Sequence, residues 1–361
     1  MREMRRFQPP LTPGLKSAGP AGSLKLLTNR SRGDRHDYNS APVPVFGRLR
    51  QAERDSLQHR SGSCNFLYGY PMDRRKFSTG DPNYHNCGDL IPQAFSHIPT
   101  AIRRLRPMKG GSQADLVAGT DGKYYVVKYK ENPEGTRSLV NDFLGAHIFL
   151  SLGINTAPAG MIAVTPQFLQ YNGSVGQRDP LGPCNVRAGV HFTSLYAGDP
   201  MHVVVHDLGR SAVIRKFLNQ EDFIGALVAD RWLAHCDSRQ AIYFRHSGGW
   251  MCQMIDFGQI LGGSEWRLSD PAFFSLAMDR SVYRVERPLE HLQKWIDRVK
   301  YFPEVRLFEI AAAIPEEWLG RERTQFERVL DKLLVRRDKI HELVESGFQH
   351  KMEPFGSWLV A

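Results

Sequence analysis

The sequence predicts an α+β fold in which a small β-rich part precedes a larger helical part, behind a basic N-terminal segment. Three observations lead there. Two short apolar runs, Ala114 to Ala118 and Tyr124 to Tyr129, flank Thr120-Asp121-Gly122, the pattern of a β-hairpin closed by a tight turn. Leu139, Val140, Phe143, Leu144 and Ile148 then recur at helical spacing, between Thr136 as N-cap and Gly153 as stop. The C-terminal part is helical in pattern, with Pro315 at a helix start before Glu316 and Glu317, and a long amphipathic stretch through Phe326, Val329, Leu330, Leu333, Ile340 and Val344.

The first hundred residues differ in texture. Pro9 to Arg60 runs through Pro-Pro, Thr-Pro-Gly, Gly-Pro-Ala-Gly and Pro-Val-Pro with few apolar residues at regular spacing, so it has too little apolar surface to order itself. Cys64 to Ile91 holds aromatics but no periodicity, and is left unassigned. Through Arg106 there are 18 Lys and Arg against 8 Asp and Glu, so the rest of a chain with formal charge +9 is close to neutral. That excess reads as a solvated tail; nucleic-acid contact through residues 1–60 is the lesser alternative. The expected divisions are a largely disordered segment over 1–97, a main domain over 98–350 and a C-terminal tail over 351–361.

A chain of 361 residues with 42% hydrophobic and 24% charged residues is in the globular range. No apolar run approaches the roughly 18 residues of a membrane span. The start, Met-Arg-Glu-Met-Arg-Arg, lacks the charged-then-apolar layout of a secretory signal. The five cysteines form no Cys-x-x-Cys pair, which suits a reducing compartment. The expectation is a cytoplasmic protein with no membrane contact.

In the middle of the chain, Gly189 to Tyr196 and His202 to His206 read as strands, and Asn219 as the cap of a helix with Phe223, Ile224, Leu227, Val228 and Trp232 on its apolar positions. That helix delivers Asp237. A second hairpin, Ala241 to Phe244 and Trp250 to Ile255, runs straight into Asp256-Phe257-Gly258. The two aspartates lie 19 positions apart, so both can return to one end of the same small sheet.

These residues supply, in chain order, the parts that phosphoryl transfer needs: backbone donors, a cation, and carboxylates. Gly110 and Gly111 permit a tight turn whose N–H groups can approach phosphate, with Ser112 and Gln113 adding hydrogen bonds. Lys128 sits in the strand run Tyr124 to Tyr129, on the face opposite Val127, and a half-buried lysine there wants a carboxylate partner. Asp142 on the next helix is the first candidate, then Glu131 or Glu134.

At this point the ordered set Gly110-Gly111-Ser112-Gln113, Tyr125-Val126-Val127-Lys128, Asp230-Arg231-Trp232-Leu233, Cys236-Asp237-Ser238-Arg239-Gln240-Ala241 and Ile255-Asp256-Phe257-Gly258 resembles the HipA-like kinase family. Gly262-Gly263-Ser264-Glu265-Trp266 and Pro315-Glu316-Glu317-Trp318 resemble its later segments. The likeness spans Ile98 to His350. It implies a two-lobed protein-kinase-like fold of the HipA/PI-kinase kind, with a small β-rich N-lobe and a helical C-lobe, that binds ATP and Mg²⁺ and phosphorylates a hydroxyl on an unknown protein or small molecule. By the same resemblance, Gly111, Ser112 and Gln113 cover the phosphates, Lys128 contacts them, Asp237 is the catalytic base, and Asp256 binds the metal.

One position departs from the family. Five residues after the catalytic aspartate the better-known HipA proteins have an asparagine ligand, and Ile242 stands here. Gln240 is the nearest oxygen donor that can substitute, and a catalytically weak or inactive nucleotide-binding module is the alternative reading. His202 and His206 have the offset of a helical metal pair, but on a strand they lie roughly 13 Å apart. Hydrolase elbow, His-Glu-x-x-His and Walker-type motifs are absent from the sequence.

Overall fold

The computed structural model describes residues 97–172, 175–176, 186–207, 217–246, 248–270 and 275–358. Apart from His97, the segment expected to be disordered lies outside the described residues, and so does the stretch 1–60 for which nucleic-acid contact was the lesser alternative.

The first lobe contains β1 (Ala101–Pro107), β2 (Asp115–Gly119), β3 (Tyr124–Lys128), α1 (Thr136–Leu152), β4 (Ala159–Val164), α2 (Pro166–Asn172) and β5 (Gly189–Leu195). The strands form one antiparallel sheet in the order β1-β2-β3-β5-β4. Its outer edges approach each other, since Ala163 donates its N–H to the Pro99 carbonyl at 2.8 Å, which protects both edges from further pairing. Alternation along β3 sends Tyr125 and Val127 into a small core with Val117, Ile162, Val164 and Phe168. Asp115 is buried in the same lobe and accepts from Arg104 at 2.8 Å, Tyr129 Oη at 3.2 Å and the Gly176 N–H at 2.9 Å.

The second lobe is built on β6 (Val205–His206), α3 (Asp222–Trp232), β7 (Gln240–His246), β8 (Gly249–Ile255), α4 (Pro288–Lys300), α5 (Glu304–Ala312), α6 (Glu316–Leu319), α7 (Arg323–Asp338), α8 (Ile340–Gln349) and α9 (Phe355–Trp358). Its large core takes in Leu139, Val140, Phe143, Leu144 and Ile148 of α1 together with Trp232 and Trp295. The helix following the first hairpin therefore belongs, by packing, to the second core. Among the described residues no helix is long and apolar enough to cross a membrane.

Several local expectations shift for identifiable reasons. Gly135, at φ 79°, occupies the cap position of α1, and Thr136 opens the helix. Glu221 precedes α3, while the Asn219 side chain donates to Asp222 Oδ2 at 2.7 Å and to the Cys252 carbonyl at 2.9 Å, tying the helix start to β8. The strand read from His202 shrinks to Val205–His206, because the Asp199 carboxylate accepts from the Met201 N–H at 2.8 Å and contacts His202 Nδ1 at 3.0 Å, holding a turn. The long amphipathic stretch is two helices that break at Lys339. Beyond residue 350 the chain is not a tail over its whole length: Phe355 and Trp358 join the large core, with Phe355 packed on Phe348.

Candidate functional site

The glycine pair forms the tip of the β1–β2 hairpin. Met108 N–H donates to the Ala114 carbonyl at 2.8 Å and closes the loop; Gly110 at φ 119° and Gln113 at φ 52° turn the chain inside it. Glycine meets the first of these dihedrals without a Cβ penalty. Ser112 is buried, and Gln113 Oε1 is a buried acceptor with no hydrogen-bond partner, which leaves a demand for a donor at the loop.

Below the loop, at the end of β3, the Lys128 ammonium lies 2.8 Å from Asp142 Oδ2 and 2.9 Å from Asp256 Oδ1. Burial alone lowers the Lys128 pKa, but the two carboxylates outweigh it, and the net direction is upward. The lysine is a fixed cation. Asp142 Oδ1 accepts the Phe257 N–H at 2.8 Å, so one helical carboxylate holds both the strand lysine and the Asp-Phe-Gly turn. Gly145, one helical turn along α1, admits Phe257, since a Cβ there would stand 2.7 Å from the Phe257 Cβ.

Asp256 has a positive φ of 59°, a backbone state that non-glycine residues adopt rarely and mostly where function requires it. Lys128 holds its carboxyl below the usual carboxylate range. Its second oxygen, Oδ2, accepts the Gln240 amide nitrogen at 2.9 Å. Gln240 thus stands beside Asp256 with nitrogen, not oxygen, toward it. Ile242 follows two positions along β7 and shares that strand face.

Asp237 is exposed, in the loop between α3 and β7. Its Oδ1 accepts the Ser238 N–H at 2.6 Å, and its backbone carbonyl accepts from Ser275 Oγ, which also contacts His235 Nδ1. Arg239 anchors the loop from beneath. It makes a bidentate pair with Asp230 at 2.7 and 2.8 Å, donates to the Ile255 carbonyl at 2.8 Å, and lies 4.6 Å from the Phe257 ring centroid.

Sequence reasoning treated Glu134 only as a fallback partner for Lys128. In the structure its carboxylate lies between two turns: a Cβ on Gly111 would fall 2.9 Å from Glu134 Oε1, and one on Gly258 3.5 Å from Oε2. Burial raises the Glu134 pKa, and Asp256, Asp142 and Asp237 add to that rise against the opposing effect of Lys128. The glycine turn and the Asp-Phe-Gly turn therefore both lie against one carboxylate. The position of Glu134, in the linker just before α1, was the one available signal.

Two buried cores, with a strand lysine paired to a helical carboxylate and to the aspartate of an Asp-Phe-Gly turn, make up a two-lobed α+β fold. Comparison with solved structures finds similarity to kinases. Hydra Fam20, solved with sugar, is 14% identical over 71% of this chain and 87% of its own, with a TM-score of 0.45. The proinflammatory kinase CtkA of Helicobacter pylori is 12% identical over 66% of this chain and 96% of its own, with a TM-score of 0.38. HipA of Shewanella oneidensis, solved with HipB and operator DNA, is 12% identical over 67% of each chain, with a TM-score of 0.40. No family model and no curated protein sequence matches the chain.

Proposed function

We propose that the protein is an ATP- and Mg²⁺-dependent phosphotransferase that moves the γ-phosphate of ATP to a hydroxyl. The observation behind this reading is the junction of Lys128 with Asp142 at 2.8 Å and Asp256 at 2.9 Å, beside which the Glu134 carboxylate lies between the Gly111 and Gly258 turns. On this reading Gly110, Gly111, Ser112 and Gln113 cover the triphosphate, and Lys128, oriented by Asp142, binds it. Asp237 accepts the proton of the attacking hydroxyl and orients it.

Asp256, Glu134 and Gln240 offer oxygen ligands for the metal. Mg²⁺ is usually held by one or two carboxylates together with substrate phosphates. When bound, the ion supplies neutralisation of charge on the transferring group. Gln240 must turn its amide over to present oxygen, because its nitrogen faces Asp256.

Ile242 in place of an asparagine favours one second reading: a nucleotide-binding regulatory module with little or no transfer. Incubation of the full chain with labelled ATP and Mg²⁺, beside Asp237→Asn, separates the two. Transfer abolished in the variant, with ATP still raising the melting temperature of both forms, supports the enzyme. Equal residual rates in the two forms count against it.

A further inference from the structure

Asn141 stands on α1 beside Asp142 and is fully buried. Both polar atoms of its side chain are directed at the segment that follows the Asp-Phe-Gly turn. Nδ2 donates to the carbonyls of Gly258 at 2.8 Å, Ile260 at 3.0 Å and Gly263 at 3.3 Å, and Oδ1 accepts the Trp266 indole N–H at 2.8 Å. Each of these bonds ends on the segment, and together they satisfy the buried amide. Asp142, the next residue, accepts the Phe257 N–H at 2.8 Å. Two consecutive residues of one helix thus grip the chain from 257 to 266.

The path of that segment is one its backbone does not favour alone. Leu261 at φ 61°, Gly262 at φ 74° and Gly263 at φ 79° are consecutive left-handed residues, and a leucine holds that conformation only where its surroundings impose it. A Cβ on Gly262 would overlap the Arg267 carbonyl oxygen. On its other side the segment is joined to the chain that leads to Asp237. Leu261 N–H donates to the Leu233 carbonyl at 2.7 Å, Gly262 N–H to the Ala234 carbonyl at 3.0 Å, and Cys236 N–H to the Gln259 carbonyl at 3.0 Å. Cys236 is the residue before Asp237, and Asp256 the residue before Phe257. Hydrogen bonds therefore connect α1, through this segment, to the loops of both aspartates.

We propose that Asn141 is a positioning residue of the transferase: its three carbonyl contacts fix the segment after the Asp-Phe-Gly turn and, through it, the carboxylates of Asp256 and Asp237. The proposal rests on the phosphotransferase reading. Asn141 acts at one remove, like the outer partners of a metal ligand, whose loss costs about 10–100-fold in metal affinity or activity. A hydrocarbon side chain in its place leaves three carbonyls without their donor, and the left-handed run loses contacts that impose it.

The test compares Asn141→Leu, which keeps a branched side chain and removes all four bonds, with Trp266→Phe, which removes only the bond to Oδ1. In the full chain without metal or nucleotide, the amides of Phe257, Leu261, Gly262 and Cys236 should exchange hydrogen about tenfold faster in Asn141→Leu, beyond any acceleration shared with α7, and change less than about twofold in Trp266→Phe. With ATP present, the Mg²⁺ concentration for half-maximal transfer should rise about tenfold in Asn141→Leu alone. Loss of folded protein by itself lowers the rate at an unchanged Mg²⁺ requirement. Should the leucine variant fail to fold, Asn141→Ser takes its place with the same expected changes. Acceleration spread evenly over the chain, an unchanged Mg²⁺ requirement, or equal effects in Trp266→Phe overturns the proposal and leaves the phosphotransferase reading standing. Absence of transfer by the wild-type chain removes that reading and the proposal with it.

Discussion

Asp230 on α3 and Arg239 at the mouth of the second hairpin form a bidentate pair with both side chains fully buried, at 2.7 and 2.8 Å. Arg239 also holds the Ile255 carbonyl at 2.8 Å, directly before Asp256. One buried guanidinium thus fixes the loop of Asp237 to the turn of Asp256. Arg239→Met alone strands a buried carboxylate and is expected to cost about 3–5 kcal/mol, whereas Arg239→Met with Asp230→Leu should recover most of that loss. Urea denaturation of the two variants checks it.

Glu134→Gln removes negative charge from the space under Gly111. If the carboxylate shares in holding the metal, the Mg²⁺ concentration for half-maximal transfer should rise about tenfold or more, while ATP binding without metal tightens because phosphate no longer meets a carboxylate. Metal titration of activity and calorimetric ATP binding in EDTA read the two effects. An unchanged metal requirement would assign Glu134 to packing alone.

Lys128→Met should abolish measurable ATP binding. It should also destabilise the fold by about 3–5 kcal/mol, since Asp142 is left buried without its cation. Lys128→Met with Asp142→Leu should regain stability without regaining nucleotide binding, a split that thermal melts with and without ATP will show.

Gly145→Ala places a methyl group 2.7 Å from Phe257. Overpacking of this kind costs about 1–3 kcal/mol, and here the displaced ring belongs to the turn that carries Asp256. The expected result is a loss of transfer rate larger than the loss of stability, measured as kcat beside the denaturation midpoint.

Burial lowers His147 and His191 to about 4. Both are neutral in the folded state at neutral pH, and the unfolded chain binds protons first as pH falls below about 6.5. Their stabilising effect is complete above that pH and is lost toward pH 4, at most about 3 kcal/mol each. Asp222, pushed up to about 6 by burial, acts in the opposite sense between pH 6 and 4 and partly offsets them. A net loss of stability from pH 7 to 4, reduced in His191→Gln, is the expected outcome of denaturation series at stepped pH.

Much of this molecule was legible in one dimension. Both hairpins, α1 and the helix leading to Asp237 announced themselves because alternation and helical spacing are local properties of the chain. The placement of Asp142 opposite Lys128 was readable for the same reason, since a strand, a short linker and a helix leave few geometries. β1 escaped notice because Arg103, Arg104 and Arg106 interrupt its apolar pattern at an exposed sheet edge, where burial does not select residues. The caps fall elsewhere, on Gly135 and Glu221, and the Asn219 side chain is instead shared between Asp222 and the Cys252 carbonyl on β8, a partner that spacing along the chain does not reveal.

Sequence by itself determined the order of the parts: a glycine turn, a strand lysine, a helical carboxylate, an aspartate after a helix and another after a hairpin. Only the tertiary structure decided that Glu134 stands between the Gly111 and Gly258 turns, that Arg239 ties the two aspartate loops together, and that Gln240 meets Asp256. Each of those contacts joins residues from different elements. Electrostatic energy depends on distance in space, which the spacing of residues along the chain does not record.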